Sequence, residues 1–158
     1  MDKKRILLIA SLSGSLINFR GDFIKSLIKN GLQVFAAAPE HPDDTRAELQ
    51  ALGAIPLEFN LNRTGLNPFK DLRSIRDLKG LIKDNNIDLV FPYTVKPVIY
   101  GSIAANKCKV PVISLITGLG YTFTGLSAKA RLLQRFNEIL YKLSIRKNKV
   151  VSQTGKVV

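Results

Sequence analysis

Apolar residues along this chain come as short continuous runs, separated by stretches where they recur every three or four positions. That pattern predicts buried parallel strands alternating with amphipathic helices. Residues 5–10 (RILLIA) form the first run, and a Ser/Gly loop is expected over residues 11–18. Phe23, Ile24, Leu27 and Ile28 then recur at helical spacing until Asn30-Gly31 stops the helix. Residues 33–38 read as the second strand, closed by Pro39; residues 45–52 as a short helix ended by Gly53; residues 54–57 as a third, weaker strand. After a polar loop over 60–67, Asn67-Pro68 opens a helix, Asn capping and Pro filling the first turn where its missing N–H costs nothing. Leu72, Ile75, Leu78 and Ile82 mark the expected buried stripe of that helix. Residues 89–91 form the fourth strand, 96–107 a helix rich in small residues, 110–116 the fifth strand and 127–147 a long helix. A sixth strand begins at 149–151.

This alternation predicts a single α/β domain over residues 1–158, a three-layer Rossmann-like parallel sheet with helices on both faces. Strand order 3-2-1-4-5 is expected, the chain reversing direction between strands one and four. The carboxyl ends of all strands then share one rim, where the loops over residues 11–20, 39–45, 58–67, 92–96 and 117–125 meet. A crevice is expected between Ser11-Leu12-Ser13-Gly14-Ser15 and Tyr93-Thr94-Val95-Lys96. The chain stops as the sixth strand begins, so the architecture reads as cut short.

Composition changes this picture in one respect. The 158 residues are 46% hydrophobic and 23% charged, an ordinary globular balance that excludes a disordered chain. No stretch nears the ~20 apolar residues of a transmembrane helix. Cys108 is the only cysteine, so no intrachain disulfide is possible and a cytoplasmic location is expected. The informative number is the formal net charge of +12, from 24 Lys and Arg against 12 Asp and Glu. It favours polyanions, whether nucleic acid, phosphorylated ligands or an anionic membrane surface, without choosing among them. No RNA-binding signature is present, and no nucleic-acid partner is expected.

The first loop carries one glycine, Gly14, where a dinucleotide site needs G-x-G-x-x-G, and no P-loop motif exists. Gly14 lets backbone come close to a ligand. Arg20, Arg63 and Lys96 lie on rim loops; together they suit a pyrophosphate or a sugar phosphate, and singly each is equally a solvated surface cation. His41, the only histidine, is conceivable as a general base, but a surface-loop histidine is the plainer reading. No His/Cys cluster suggests a metal site, no cofactor is expected, and no catalytic Ser/His/Asp set follows from spacing. On the helix over 127–147, Arg131, Arg135, Lys142 and Arg146 form a stripe opposed only by Glu138. The stripe suits an anionic membrane surface or a solvated face, and spacing does not separate the two.

Tyr93-Thr94-Val95-Lys96-Pro97-Val98-Ile99-Tyr100-Gly101, followed by Thr117-Gly118-Leu119-Gly120-Tyr121, resembles the amino-terminal domain of GT-B glycosyltransferases of family 4. Phe19-Arg20-Gly21-Asp22 and Asn62-Arg63-Thr64-Gly65-Leu66-Asn67-Pro68 fit the same family, notably bacterial enzymes of capsule, O-antigen and lipid-linked oligosaccharide assembly. The resemblance runs from Lys4 to Val151. It implies a retaining, metal-independent transferase with two Rossmann-like domains facing a cleft. The amino-terminal domain holds the acceptor, often a sugar on a polyprenyl diphosphate. The carboxy-terminal domain holds the nucleotide-sugar.

By that resemblance this chain is the N-terminal half of a GT-B fold, lined on its acceptor side by Gly14, Arg63, Tyr93, Thr94, Lys96, Gly118 and Gly120. Arg63 and Lys96 would neutralise the diphosphate, while Gly118 and Gly120 would admit backbone amides to the sugar. The activity implied is transfer of a sugar to a lipid-linked or glycan acceptor in cell-surface glycan synthesis. Nucleotide-sugar binding needs the second domain, so the chain alone is expected to be inactive. Many relatives carry a histidine after strand four; Tyr93-Thr94 stands there instead, so no catalytic role is carried over. The other reading is a non-catalytic membrane-docking subunit of a split glycosyltransferase, peripheral on the inner face of the plasma membrane.

Overall fold

In the computed structural model, which describes residues 3–62, 67–116, 142 and 149–152, every strand pairing is parallel. β1 (Arg5–Ile9) is central, with β2 (Gln33–Ala38) on one side and β4 (Leu89–Pro92) on the other; β3 (Ile55–Glu58) pairs with β2. β5 (Ile113–Ile116) joins β4 through two parallel bridges, Val90 with Val112 and Tyr93 with Leu115, and β6 (Lys149–Ser152) pairs with β5. The expected order 3-2-1-4-5 is present, and the chain reverses between β1 and β4.

Alternation along the strands builds two cores. Leu7, Ile9, Phe35, Ala37 and Val90 face one way, against Leu78 and Ile82 of α4 (Pro68–Asp84) and Ile99, Tyr100 and Ala104 of α5 (Val95–Lys107). Ile6, Leu8, Val34, Ala36 and Phe91 face the other way. There they meet Leu16 of α1 (Ser13–Asn18), Ile24 of α2 (Gly21–Lys29) and Leu49 of α3 (Asp43–Ala51). The period of two in each strand thus forces helices onto both faces.

Local signals end the elements as expected. Gly31 and Gly53 adopt φ of 84° and 88° after α2 and α3, a left-handed conformation that other residues resist. Asn67 caps α4, its side chain accepting from the Lys70 N–H at 3.2 Å. Gly101 serves packing: a Cβ there would lie 2.9 Å from Ile9 Cδ1 and 3.3 Å from Pro92 Cβ, so α5 approaches the sheet only because that atom is missing.

Three expectations need correction. Residues 13–18 form a short helix rather than a loop, because a single buried leucine, Leu16, anchors the turn without leaving a periodic pattern. Leu72 is outside the core, 60% exposed. Ser74, Leu78 and Ile82 set the buried face of α4, and Leu72 sits about 200° round from Ser74 at ~100° per residue. The fifth strand starts at Ile113 rather than at residue 110. The expected helix over 127–147 lies outside the described residues, apart from Lys142, which is helical and exposed.

Candidate functional site

The parallel sheet delivers the loops after β1, β2, β3 and β4 to one edge, and side chains remote in sequence meet there. Ser11 and Thr94, 83 residues apart, share a short hydroxyl–hydroxyl hydrogen bond across the reversal point. Ser15 bonds the Tyr93 hydroxyl at 2.9 Å. These contacts close the floor of a crevice between the first and fourth loops. Two adjoining hollows open from it. One, of about 310 Å³, is lined by Ser11, Ser13, Gly14, Pro39, Glu40 and Leu61. The other, of about 380 Å³, is lined by Ser11, Leu12, Ser15, Arg20, Tyr93 and Thr94, with Phe19 at its mouth.

Thr94 holds φ 68° and ψ 156°, a conformation a β-branched residue resists at a cost of about 1–3 kcal/mol. The strain sits at the N-cap of α5, where it turns the chain from β4 into the helix. Tyr93 is 2% exposed. Burial pushes its phenol up to about 12, against the opposing effects of the Ser15 hydrogen bond and the Arg20 charge. The Arg20 guanidinium lies 5.0 Å from the Tyr93 ring centroid, a cation–π contact that brings a positive charge to the crevice wall. Leu12 and Phe19 stand 53% and 73% exposed at the same mouth.

Behind this wall sits a second cluster. The Lys96 ammonium donates to the Asn62 carbonyl and lies 3.9 Å from the Asp71 carboxylate; the two charged side chains are 18% and 15% exposed. Burial pulls Lys96 down from the ordinary lysine range, and Asp71 opposes that effect. Burial first, then the adjacent Asp71 carboxylate, pushes the Tyr100 phenol well above its usual range. Asp71 also accepts the Asn67 N–H at 3.2 Å, so the first turn of α4 is tied to the start of α5.

Of the residues expected to line the site, the fold brings Gly14, Tyr93, Thr94 and Lys96 to this edge. Arg63, Gly118 and Gly120 lie outside the described residues, as do Arg131, Arg135 and Arg146. Gly14 is helical, and a Cβ there would meet only Asn18 Nδ2 at 3.9 Å, so the fold itself does not demand glycine. His41 is not on the surface: it is 6% exposed and bonded to Ser13. Asp71, Ser13 and Tyr100 carry no local signal of their roles. Ser13 meets His41, and Asp71 meets Lys96, only through the fold.

The sequence profile described as glycosyl transferase 4-like matches residues 5–154. This chain belongs to that family. One relative is the N,N'-diacetylbacillosaminyl-diphospho-undecaprenol alpha-1,3-N-acetylgalactosaminyltransferase of Campylobacter jejuni. It is 30% identical over 143 residues, which cover 90% of this chain and 38% of that protein. Among solved structures, a glycosyltransferase from Rickettsia africae superposes with a TM-score of 0.65 at 20% identity, over 96% of this chain and 37% of the other. A UDP-N-acetylglucosamine 2-epimerase gives the same TM-score of 0.65 at 12% identity, over 96% and 42%. Likeness of shape therefore identifies the fold and does not choose the reaction. The architecture of this glycosyl transferase 4-like chain is that of the amino-terminal domain of a GT-B enzyme. It spans about two fifths of the length of these relatives.

Proposed function

We propose that this chain is the acceptor-side domain of a transferase that moves a sugar from a nucleotide-sugar to a lipid-linked acceptor in cell-surface glycan synthesis, working peripherally at a membrane. The acceptor is a sugar on a polyprenyl diphosphate. The observation that carries the reading is the crevice itself. Hydroxyls from Ser11, Ser15, Tyr93 and Thr94 converge beneath Arg20 at the sheet's reversal point, with apolar Leu12 and Phe19 at the mouth. Hydroxyls suit the sugar, the guanidinium suits a diphosphate oxygen, and the apolar mouth suits the first isoprene units. Lys96 adds charge behind the wall, with Asp71 and Asn62 holding its position. Arg63, Gly118 and Gly120 complete the acceptor side in this reading. Nucleotide-sugar binding and catalytic turnover belong to a second domain.

Calorimetry with a short-chain polyprenyl-diphosphate sugar tests this on the chain as it stands. Saturable binding is expected, weakened about tenfold by Arg20→Gln through loss of a charge-assisted hydrogen bond. The same chain given nucleotide-sugar and acceptor should release no product. Binding indifferent to Arg20→Gln would remove the crevice from the reading, and turnover by this chain alone would overturn the division of labour.

A further inference from the structure

The two hollows of the crevice differ in polarity. Arg20 brings a cation to the larger one. Among the described residues, the smaller has no basic side chain on its wall, which carries Ser13, Pro39, Glu40 and Pro42. These groups accept hydrogen bonds and donate none. Nε2 of His41 faces the carbonyl oxygens of Leu57 and Ala36, so Nδ1 accepts from Ser13, and the Ser13 oxygen has only lone pairs left for the hollow. Neither proline has an N–H, and the Ser11 hydroxyl beside them is engaged with Thr94. Glu40 is exposed and forms no hydrogen bond or ion pair with the described residues. Glu58, the other carboxylate near His41, is taken by Arg46. Gly14 lines the same hollow. Packing does not require glycine there, since a Cβ would meet only Asn18 Nδ2 at 3.9 Å, and glycine weakens a helix relative to alanine. The missing side chain instead leaves room in the hollow.

We propose that the smaller hollow recognises a free amino group on the acceptor sugar, with Glu40 as the specificity-determining residue. A protonated primary amine brings three donors and a positive charge to a site that supplies the Glu40 carboxylate and the Ser13 oxygen. A hydroxyl in its place would find the acceptors but gain no charge pairing. An acetamido group would bring a carbonyl oxygen that no side-chain donor meets. The net charge of +12 repels a cationic group at long range, so a preference for the amine has to come from the local carboxylate. The two hollows share Ser11 and Leu12, so one ligand can set its phosphate under Arg20 and its amine beside Glu40. Assigning the amine to the acceptor rests on the function proposed above; recognition of an amine by this hollow does not.

Calorimetry on the full chain tests this with hexose 1-phosphates carrying a free amine at carbon 2 or carbon 4. One of them should bind about tenfold tighter than glucose 1-phosphate or N-acetylglucosamine 1-phosphate, the gain of a charge-assisted hydrogen bond. Glu40→Gln should erase that preference and leave glucose 1-phosphate binding nearly unchanged. Glu48→Gln, which removes an exposed carboxylate of α3 outside the hollow, should leave the preference intact. Gly14→Ala should weaken binding of the amino sugar yet unfold in urea no earlier than wild type. Equal affinity for amino and hydroxyl sugars overturns the proposal, while polyprenyl-diphosphate binding and its dependence on Arg20 would stand. Equal losses from Glu40→Gln and Glu48→Gln also overturn it, since bulk charge would then be the cause, as does binding indifferent to Gly14→Ala. Methyl glycosides of the same amino sugars carry no phosphate. Amide resonance shifts that they induce, and that Glu40→Gln abolishes, are expected even if the diphosphate reading fails.

Discussion

The Ser13 hydroxyl donates to Nδ1 of His41, a buried contact joining the first turn of α1 to the loop after β2. The direction follows from the other ring nitrogen. Nε2 faces the carbonyl oxygens of Leu57 at 2.9 Å and Ala36 at 3.2 Å, which only accept, so Nε2 carries the proton and Nδ1 is left to accept. The His41 backbone N–H reaches Glu58 at 3.3 Å, and Glu58 also pairs with Arg46. His41 therefore ties the first turn of α1 to β2 and β3, its ring through Ser13, Ala36 and Leu57 and its backbone through Glu58.

Replacing His41 with Ala should cost about 2–3 kcal/mol, because it leaves the Ser13 hydroxyl and two carbonyls without their partner. Ser13→Ala should cost only about 1 kcal/mol. Urea unfolding of the two variants measures both. Equal costs would mean that His41 acts through Ser13 alone.

The Lys96–Asp71 pair calls for a double-mutant cycle. Asp71→Leu leaves a half-buried ammonium without its counter-charge and removes the acceptor of the Asn67 N–H, so a loss of about 3 kcal/mol is expected. Adding Lys96→Met should restore part of that stability, since the buried charge is then gone. Additive losses would show that the two side chains do not feel each other.

At Thr94 the usual ranking of Gly and Ala should invert. With φ at 68°, Thr94→Gly relieves backbone strain, whereas Thr94→Ala keeps the strain and loses the Ser11 hydrogen bond. The glycine variant should be the more stable by about 1 kcal/mol in thermal or urea unfolding. If alanine is the more stable, the positive φ is not part of the native fold.

Tyr93 predicts an alkaline effect. Its phenol rises from 10.0 to about 12 on folding, so the folded chain holds that proton more tightly. The associated stability is complete below pH 10 and is lost as pH climbs toward 12. Tyr100 acts in the same direction; Lys96, with its depressed value, acts in the opposite one. Tyr93→Phe should therefore flatten the fall in unfolding free energy across that window. A slope identical to wild type would contradict the burial of this hydroxyl.

Much of the edge is legible in the sequence. The run over 5–10 could only be a strand covered on both faces, and the crossover rules then put the first and fourth loops side by side. Gly14, Tyr93, Thr94 and Lys96 followed from that. A lone histidine between prolines looks solvent-bound, yet His41 is buried because the carbonyls that receive it belong to β2 and β3, 5 and 16 residues away. Leu72 keeps helical spacing yet faces outward, because spacing identifies a stripe without saying which way the helix is rolled.

Amino-acid order alone determined the element sequence apart from α1, the parallel sheet, its strand order and the excess of positive charge. Each depends on residues near one another in the chain, on period, and on the handedness of L-amino-acid crossovers. Packing decided the rest: that Lys96 is held by Asp71, that Ser13 holds His41, and that Phe69 and Leu72 face outward. Those outcomes depend on how a helix rotates against a sheet and which distant loop arrives beside it, and that is settled only when burial of the whole core selects one arrangement.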